Sequence, residues 1–120
     1  MDSLAETTEK IRRFRDARDW MQFHSPKNLA CSISIEAGEL LELFQWATAE
    51  QSLGTAAKKK TEIAHELADV AIYRVELADI LGIDLIEAIS EKLAINEAKY
   101  PAEKVRGSSK KYTDYPSSES

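Results

Sequence analysis

The sequence predicts an all-α fold of four helices, and three observations predict it. Glycine and proline are scarce, four and three in 120 residues, and most stand at breaks: Pro26, Gly54, Gly82, Pro101, Gly107 and Pro116. Between the breaks, apolar residues recur at helical intervals, and no segment makes a convincing strand. Cap signals open two of the segments, Ser25 ahead of Pro26 and Asp84 three residues ahead of Glu87.

Each element follows in order. Leu4, Ile11 and Phe14 mark a first, mostly polar helix over about residues 3–18. A second helix starts at Pro26 and runs to about Ala47, with Leu29, Ile33, Leu40 and Phe44 along one side. Its Leu40, Leu41, Leu43 and Phe44 sweep past the single stripe of a surface helix. Such a helix is either central in its own chain or shared with a second subunit, and the symmetric interface is favoured. The polar stretch "AEQSLGT" reads as a link. Ile63, Leu67, Val70, Leu77 and Leu81 mark a third helix that stops near Gly82. The fourth follows Asp84, carries Leu85, Ile89 and Leu93, and ends before Pro101. Residues 1–101 thus form the helical domain, and residues 102–120 a polar tail that alone reads as disordered.

A chain of this length suits one domain, burying roughly two thirds of its unfolded surface. The net charge of -5 leaves no basic footprint for nucleic acid. A polyanionic small molecule stays possible where a metal ion reverses the local field. The lone Cys31 has no internal disulfide partner and suits a reducing compartment. No signal-peptide core and no membrane-length apolar run is present, so a cytoplasmic protein without a membrane or nucleic-acid partner is expected.

The chemistry lies in the acids. "SIEAGELLELFQW" places Glu36 and Glu39 three residues apart among large apolar side chains, and "AHELADVAIY" does the same with Glu66 and Asp69. Residues three apart share a helix face, so each pair makes a two-pronged acidic edge. If the edges meet across two helices, each close pair costs on the order of 3–4 kcal/mol at an effective dielectric near 20, unless protons or cations enter. Hard oxygen donors without His or Cys at ligand spacing suit Mg²⁺, with Mn²⁺ second, over Zn²⁺. The plain alternative is that these acids face solvent or pair with Lys60 or Arg74; two such pairs on successive apolar helices weigh against it. "HELAD" lacks the second histidine of a zinc-protease HExxH, and no Glu-x-x-His pair of a di-iron bundle occurs. Gly38 inside this pattern costs roughly 1 kcal/mol relative to alanine. It therefore needs a reason, either close approach of a phosphate or helix, or plain packing.

With these residues in view, the chain resembles the MazG-like all-α nucleoside triphosphate pyrophosphohydrolases, most closely their dCTP pyrophosphatase branch. The likeness rests on E-x-x-E, 26 residues, then E-x-x-D, and on "RDWMQFHSPKNL", "ELFQW", "KLAINEAKYP" and "RGSSKKYTDYP", covering about residues 11–116. It implies a four-helix MazG-like bundle assembled as a homodimer or dimer-of-dimers homotetramer. It further implies Mg²⁺-dependent cleavage of an NTP between its α and β phosphates, giving a monophosphate and pyrophosphate. Glu36, Glu39, Glu66 and Asp69 match the metal-binding acids, and Glu39 is the candidate acceptor of the attacking water's proton.

The resemblance also implies how a nucleotide is held. Trp20 and Trp46 match aromatic positions enclosing the base, against a plain reading as core. Tyr73, one turn beyond Asp69, and Lys92, Asn96 and Tyr100 on one face of the fourth helix match substrate-side residues, with Lys92 reaching phosphate. His24 and Asn28 match "QFHxPxNL", and Arg106, Lys110 and Lys111 match a tail pattern that orders over the phosphates. The vertebrate enzymes of this branch carry a histidine on the first helix where "IRRFRDAR" has none, leaving the base open among dCTP, modified dCTP and several dNTPs. Two other functions fit the letters less well: a phosphoribosyl-ATP pyrophosphohydrolase, opposed by the paired tryptophans and "KYTD", and a noncatalytic helical oligomerisation module.

Overall fold

The helix starts are written in side-chain caps. In a computed structural model that describes residues 2–109, Ser3 accepts a hydrogen bond from the Glu6 N–H at 3.1 Å and opens α1, Leu4–Ala17. Asp19 takes a positive φ of 53°, and its neighbour Trp20 donates back to the Arg15 carbonyl at 3.1 Å, closing the helix end. A 3₁₀ turn, Met21–Phe23, follows, and Ser25 caps α2, Pro26–Glu42, with Pro26 in the first turn. The Asn28 side-chain amide donates to the Phe23 carbonyl at 3.0 Å, fastening the 3₁₀ turn to the start of α2.

Helix α2 is shorter than the sequence suggests, ending at Glu42 rather than near Ala47. From Leu43 onward the backbone bonds tighten to three-residue steps, Phe44 N–H to Leu41 and Ala47 N–H to Phe44, both 2.9 Å. The expected link is itself helical: α3 spans Ser52–Lys58. It is entered through a reciprocal box in which the Thr48 N–H donates to Gln51 Oε1 at 3.0 Å and the Gln51 N–H to Thr48 Oγ1 at 3.2 Å. That is the T-x-x-Q form of the capping box, a signal present in the letters.

Helix α4, Lys60–Ile80, is the spine of this part of the chain; the principal contacts of α1, α2 and α3 are all made with it. The most extensive is the α2–α4 seam, and Leu29 of α2 is 1% exposed. The central helix is therefore α4, not α2. Arg12 ties α1 to α4 through both oxygens of Asp79, Nε to Oδ2 at 2.7 Å, and holds that carboxyl below its ordinary range. Arg12 is 44% exposed, so the tie is worth little in stability and more in register.

The chain divides into two compact units at the Ile83–Asp84 junction. In the second, Asp84 caps α5, Leu85–Lys99, by accepting from the Glu87 N–H at 3.1 Å, and a short α6 covers Ala102–Val105. Among the described residues there are six α-helices and no strand, an all-α fold with two short helices more than the letters show. Lys110, Lys111 and "KYTDYP" lie outside the described residues.

Only Leu29 and Ala78 are buried apolar residues among those described. Ile35 and Leu41 on α2 stay 61% and 65% exposed, and Ile86 and Leu93 on α5 58% and 62%. Both helices carry apolar surface well beyond what the single chain covers.

Helix α4 stops where glycine allows it. Gly82, at φ 67°, donates to the Asp79 carbonyl at 3.1 Å, while Ile83 donates to Ala78 at 2.8 Å, the paired bonds of a left-handed helix end. Gly82→Ala meets no steric obstacle in space but forces a side chain into that backbone conformation. It is expected to lower stability by about 1 kcal/mol in chemical denaturation, with the helix content of the folded state unchanged.

Candidate metal centre and adjoining groove

The α2–α4 seam brings the two acidic edges together. Glu36 and Glu39 from α2 and Glu66 from α4 each offer a carboxylate oxygen within 4.8 Å of the others. Glu36 Oε2 and Glu66 Oε2 are buried without a hydrogen-bond partner. Neither Lys60 nor Arg74 pairs with any of the four acids among the described residues. Asp69 stands outside the three-carboxylate group and lines the groove described below.

Removing water from such a cluster favours protonation. Glu36 is pushed up to about 7, first by burial, then by Glu39, and further by Asp69 and Glu66. Glu66 is raised as well, again by burial first and Glu39 next. Two orphaned buried oxygens in a convergent set of hard donors fit a hard divalent cation, which satisfies the oxygens and cancels the repulsion together. Glu36, Glu39 and Glu66 would hold it, with Asp69 at the border. Gly38, between the two α2 acids, meets nothing within 4 Å of where a Cβ would stand, so packing within the chain does not explain it.

Beside the cluster, α1, the 3₁₀ turn and α4 enclose a groove of about 470 Å³. Ile11 and Phe14 of α1 and Ile72 of α4 give it apolar walls. Aromatic rings form a continuous side: Phe14 meets Trp20 edge-on at 5.7 Å, Trp20 lies 6.4 Å from His24, and His24 lies 6.4 Å from Tyr73. Arg18 stacks its guanidinium 3.7 Å over Phe14. Asp69 and Tyr73 line the groove on α4, so Asp69 borders both the acid cluster and the apolar space. The Tyr73 hydroxyl is raised by burial first and then by Glu36 and Asp69.

At the same groove stands a polar group that spacing analysis missed. Glu76, 3% exposed, places Oε1 2.5 Å from His24 Nδ1 and 3.6 Å from Arg15 Nη1. Its signal was in the letters: Asp69, Tyr73 and Glu76 fall at i, i+4 and i+7 on one helix face.

The other expected substrate residues are placed as follows. Trp20 and His24 line the groove. Asn28 has its amide engaged by Phe23. Trp46 is 90% exposed and lines a separate hollow of about 260 Å³ with Leu43, Gln51, Lys58 and Lys59, so the two tryptophans do not enclose one space within a chain. Lys92, Asn96 and Tyr100 occupy successive turns at the end of α5, Lys92 exposed and the other two half-buried. Arg106 follows α6 and is exposed.

Comparison with known proteins agrees with this architecture. Human dCTP pyrophosphatase 1 is 44% identical over 116 residues, covering 92% of this chain and 68% of the human one. A dATP/dGTP diphosphohydrolase of cyanophage S-2L is 47% identical over 57 residues, 38% of this chain and 54% of the phage protein. The crystal structure of a pyrophosphatase from Archaeoglobus fulgidus superposes with a TM-score of 0.81 at 44% identity, covering 84% of this chain and 94% of that one. The MazG-like family model matches residues 31–115, from the middle of α2 through α4 and α5 into the tail; the chain belongs to the MazG-like family.

Proposed function

We propose that the chain is a Mg²⁺-dependent nucleoside triphosphate pyrophosphohydrolase. It cleaves a (d)NTP, dCTP or a modified dCTP foremost, to the monophosphate and pyrophosphate, and so cleans the nucleotide pool. The observation that carries this reading is the convergence of Glu36, Glu39 and Glu66, with two buried oxygens unsatisfied, beside an aromatic groove that shares Asp69. Family membership and the dCTP pyrophosphatase relatives support the reaction class.

Glu36, Glu39 and Glu66 would hold Mg²⁺, or Mn²⁺ in its place, which would offset the polyphosphate charge and make a water more acidic. The rest is the work of the chain. Glu36 and Glu66 supply the desolvated donors, Glu39 takes the proton of the water that attacks the α-phosphorus, and the bridging oxygen departs with pyrophosphate. Trp20, His24 and Tyr73 hold the nucleoside in the groove, where stacking on an aromatic face contributes about 1–3 kcal/mol per base. Asn28 keeps the 3₁₀ turn, and with it His24, in place. Lys92, Asn96 and Tyr100 are assigned to phosphate and sugar by the family resemblance.

The working form is a homodimer or homotetramer. Burying an exposed Ile or Leu contributes about 1.5–3 kcal/mol, and α2 and α5 leave several such residues open. Trp46, in the turns between α2 and α3, then reaches the base from a neighbouring subunit rather than its own. The enzyme is assigned to the cytoplasm, where its nucleotides are; among the described residues no helix is long and apolar enough to cross a membrane. The noncatalytic oligomerisation module is disfavoured, because the Glu36 and Glu66 oxygens are already buried within one chain, where a second subunit's cations do not reach them.

Three experiments test these statements. With a panel of dNTPs and Mg²⁺, chromatography is expected to show monophosphate plus pyrophosphate, dCTP among the best substrates; orthophosphate plus a diphosphate rejects the assignment. Glu39→Gln is expected to lower kcat by at least about 100-fold, the lower range of general-base contributions, with circular dichroism and oligomer size unchanged. Third, because Glu36 is raised to about 7 from 4.5, the folded metal-free protein holds more protons than the unfolded chain between those values. The cluster's contribution to metal-free stability therefore falls as pH rises from about 4.5 to about 7 and is flat above. Added Mg²⁺, competing with those protons, is expected to raise Tm more at pH 8 than at pH 6. An Mg²⁺ effect independent of pH contradicts binding at these carboxylates.

A further inference from the structure

Glu76 has no part in the mechanism above, yet it is among the most deeply buried charged groups of the chain. It is 3% exposed, with Oε1 2.5 Å from His24 Nδ1 and 3.6 Å from Arg15 Nη1. A carboxylate accepts hydrogen bonds and donates none, so the hydrogen between Glu76 and His24 belongs to Nδ1. In a neutral imidazole that leaves Nε2, on the opposite edge of the ring, as a bare acceptor. Arg15, bonded through Nε to Asp16 at 2.8 Å, stands on the other side of the same carboxylate. The remaining charged residues facing this groove are Lys10 and Asp69.

The accessible end of the pair is the imidazole. His24 keeps 18% of its side chain exposed against 3% for Glu76, and the Trp20 and Tyr73 rings each lie 6.4 Å from it. With hydrogen on Nδ1 of a neutral ring, Nε2 is the atom left to accept from a flat heterocycle in this groove. An exocyclic amino group satisfies that lone pair, whereas a carbonyl oxygen in the same place sets two acceptors against each other. For pyrimidines this separates cytosine, with its 4-amino donor, from uracil and thymine, with a 4-oxo acceptor. A buried polar group left unmatched is a strong discriminator.

Resting on the reading that this groove takes a nucleobase, we propose that Glu76 is a positioning residue that locks His24 in the Nδ1–H tautomer. His24 Nε2 thereby becomes the acceptor that selects amino-bearing bases over oxo-bearing ones.

The tautomer is directly readable. The chain has two histidines, His24 and His65, so long-range ¹H–¹⁵N correlation of the imidazoles, with His65→Ala for assignment, reports His24 alone. At mildly alkaline pH without ligand, hydrogen on Nδ1 only is expected. Hydrogen on Nε2 overturns the proposal. Glu76→Gln keeps the shape but offers either a donor or an acceptor to Nδ1, and it is expected to release the fixed tautomer. Calorimetric binding of dCMP against dUMP, which needs no turnover, is expected to favour dCMP in the parent protein, with the ratio shrinking by about tenfold in Glu76→Gln and likewise in His24→Gln. An unchanged ratio in Glu76→Gln overturns the proposal even with the tautomer as expected. Binding of both monophosphates without triphosphate turnover removes the pyrophosphohydrolase reading while the tautomer and the ratio still decide this one. Binding of neither removes the nucleobase reading and the proposal with it.

Discussion

Repulsion among desolvated carboxylates is the constraint on which the rest of this structure turns. Glu36, Glu39 and Glu66 are held close at the seam where α2 packs on α4. Apolar burial, not attraction, brings the acids together, and the unsatisfied Glu36 and Glu66 oxygens show that the protein alone does not resolve the resulting tension. At low pH a proton relieves it, which is why Glu36 is displaced to about 7; a divalent cation held by the same oxygens would relieve it too. Stability is thus given up at the seam to hold three carboxylates together.

The groove follows a different logic. One side of it is apolar and aromatic, and two of its polar side chains are already engaged: His24 with Glu76, and Arg15 with Asp16 and Glu76. That engagement fixes the orientation of these side chains within the protein. Placing Asp69 on the border joins the two environments, and the charge of the cluster is felt at Tyr73 through Glu36 and Asp69.

Much of this was legible in the letters because the determinants are local. The i, i+3 spacing of the acids, Ser25 and Asp84 as caps and Gly82 as terminator are each properties of a few adjacent residues, and the structure realises them. What was not legible depends on tertiary context. The end of α2 at Glu42 is set by a switch to three-residue bonds that no breaker marks, and α3 was passed over because the Thr48–Gln51 box lies inside a polar run. Glu76 reads as another surface acid until the fold places it under His24 and Arg15. Trp20 and Trp46 look equivalent as letters, yet one lines the groove and the other stands 90% exposed beside a different hollow. Of the two readings of α2, the less favoured one, a helix central in its own chain, gives way: α2 is the more continuously apolar helix, but α4 has the neighbours.

Helix α4 also behaves as a ruler. Glu66 at the acid cluster and Glu76 at the inner end of the groove lie ten residues apart on one rigid rod, about 15 Å along its axis at 1.5 Å per residue. The graduations between them, Asp69 and Tyr73, follow the same edge. Adding or deleting a single residue in that interval would rotate one end by about 100° against the other, so no intermediate phasing is available. Divergence on this scaffold is thereby confined to exchanging side chains at fixed marks, because the interval itself does not stretch.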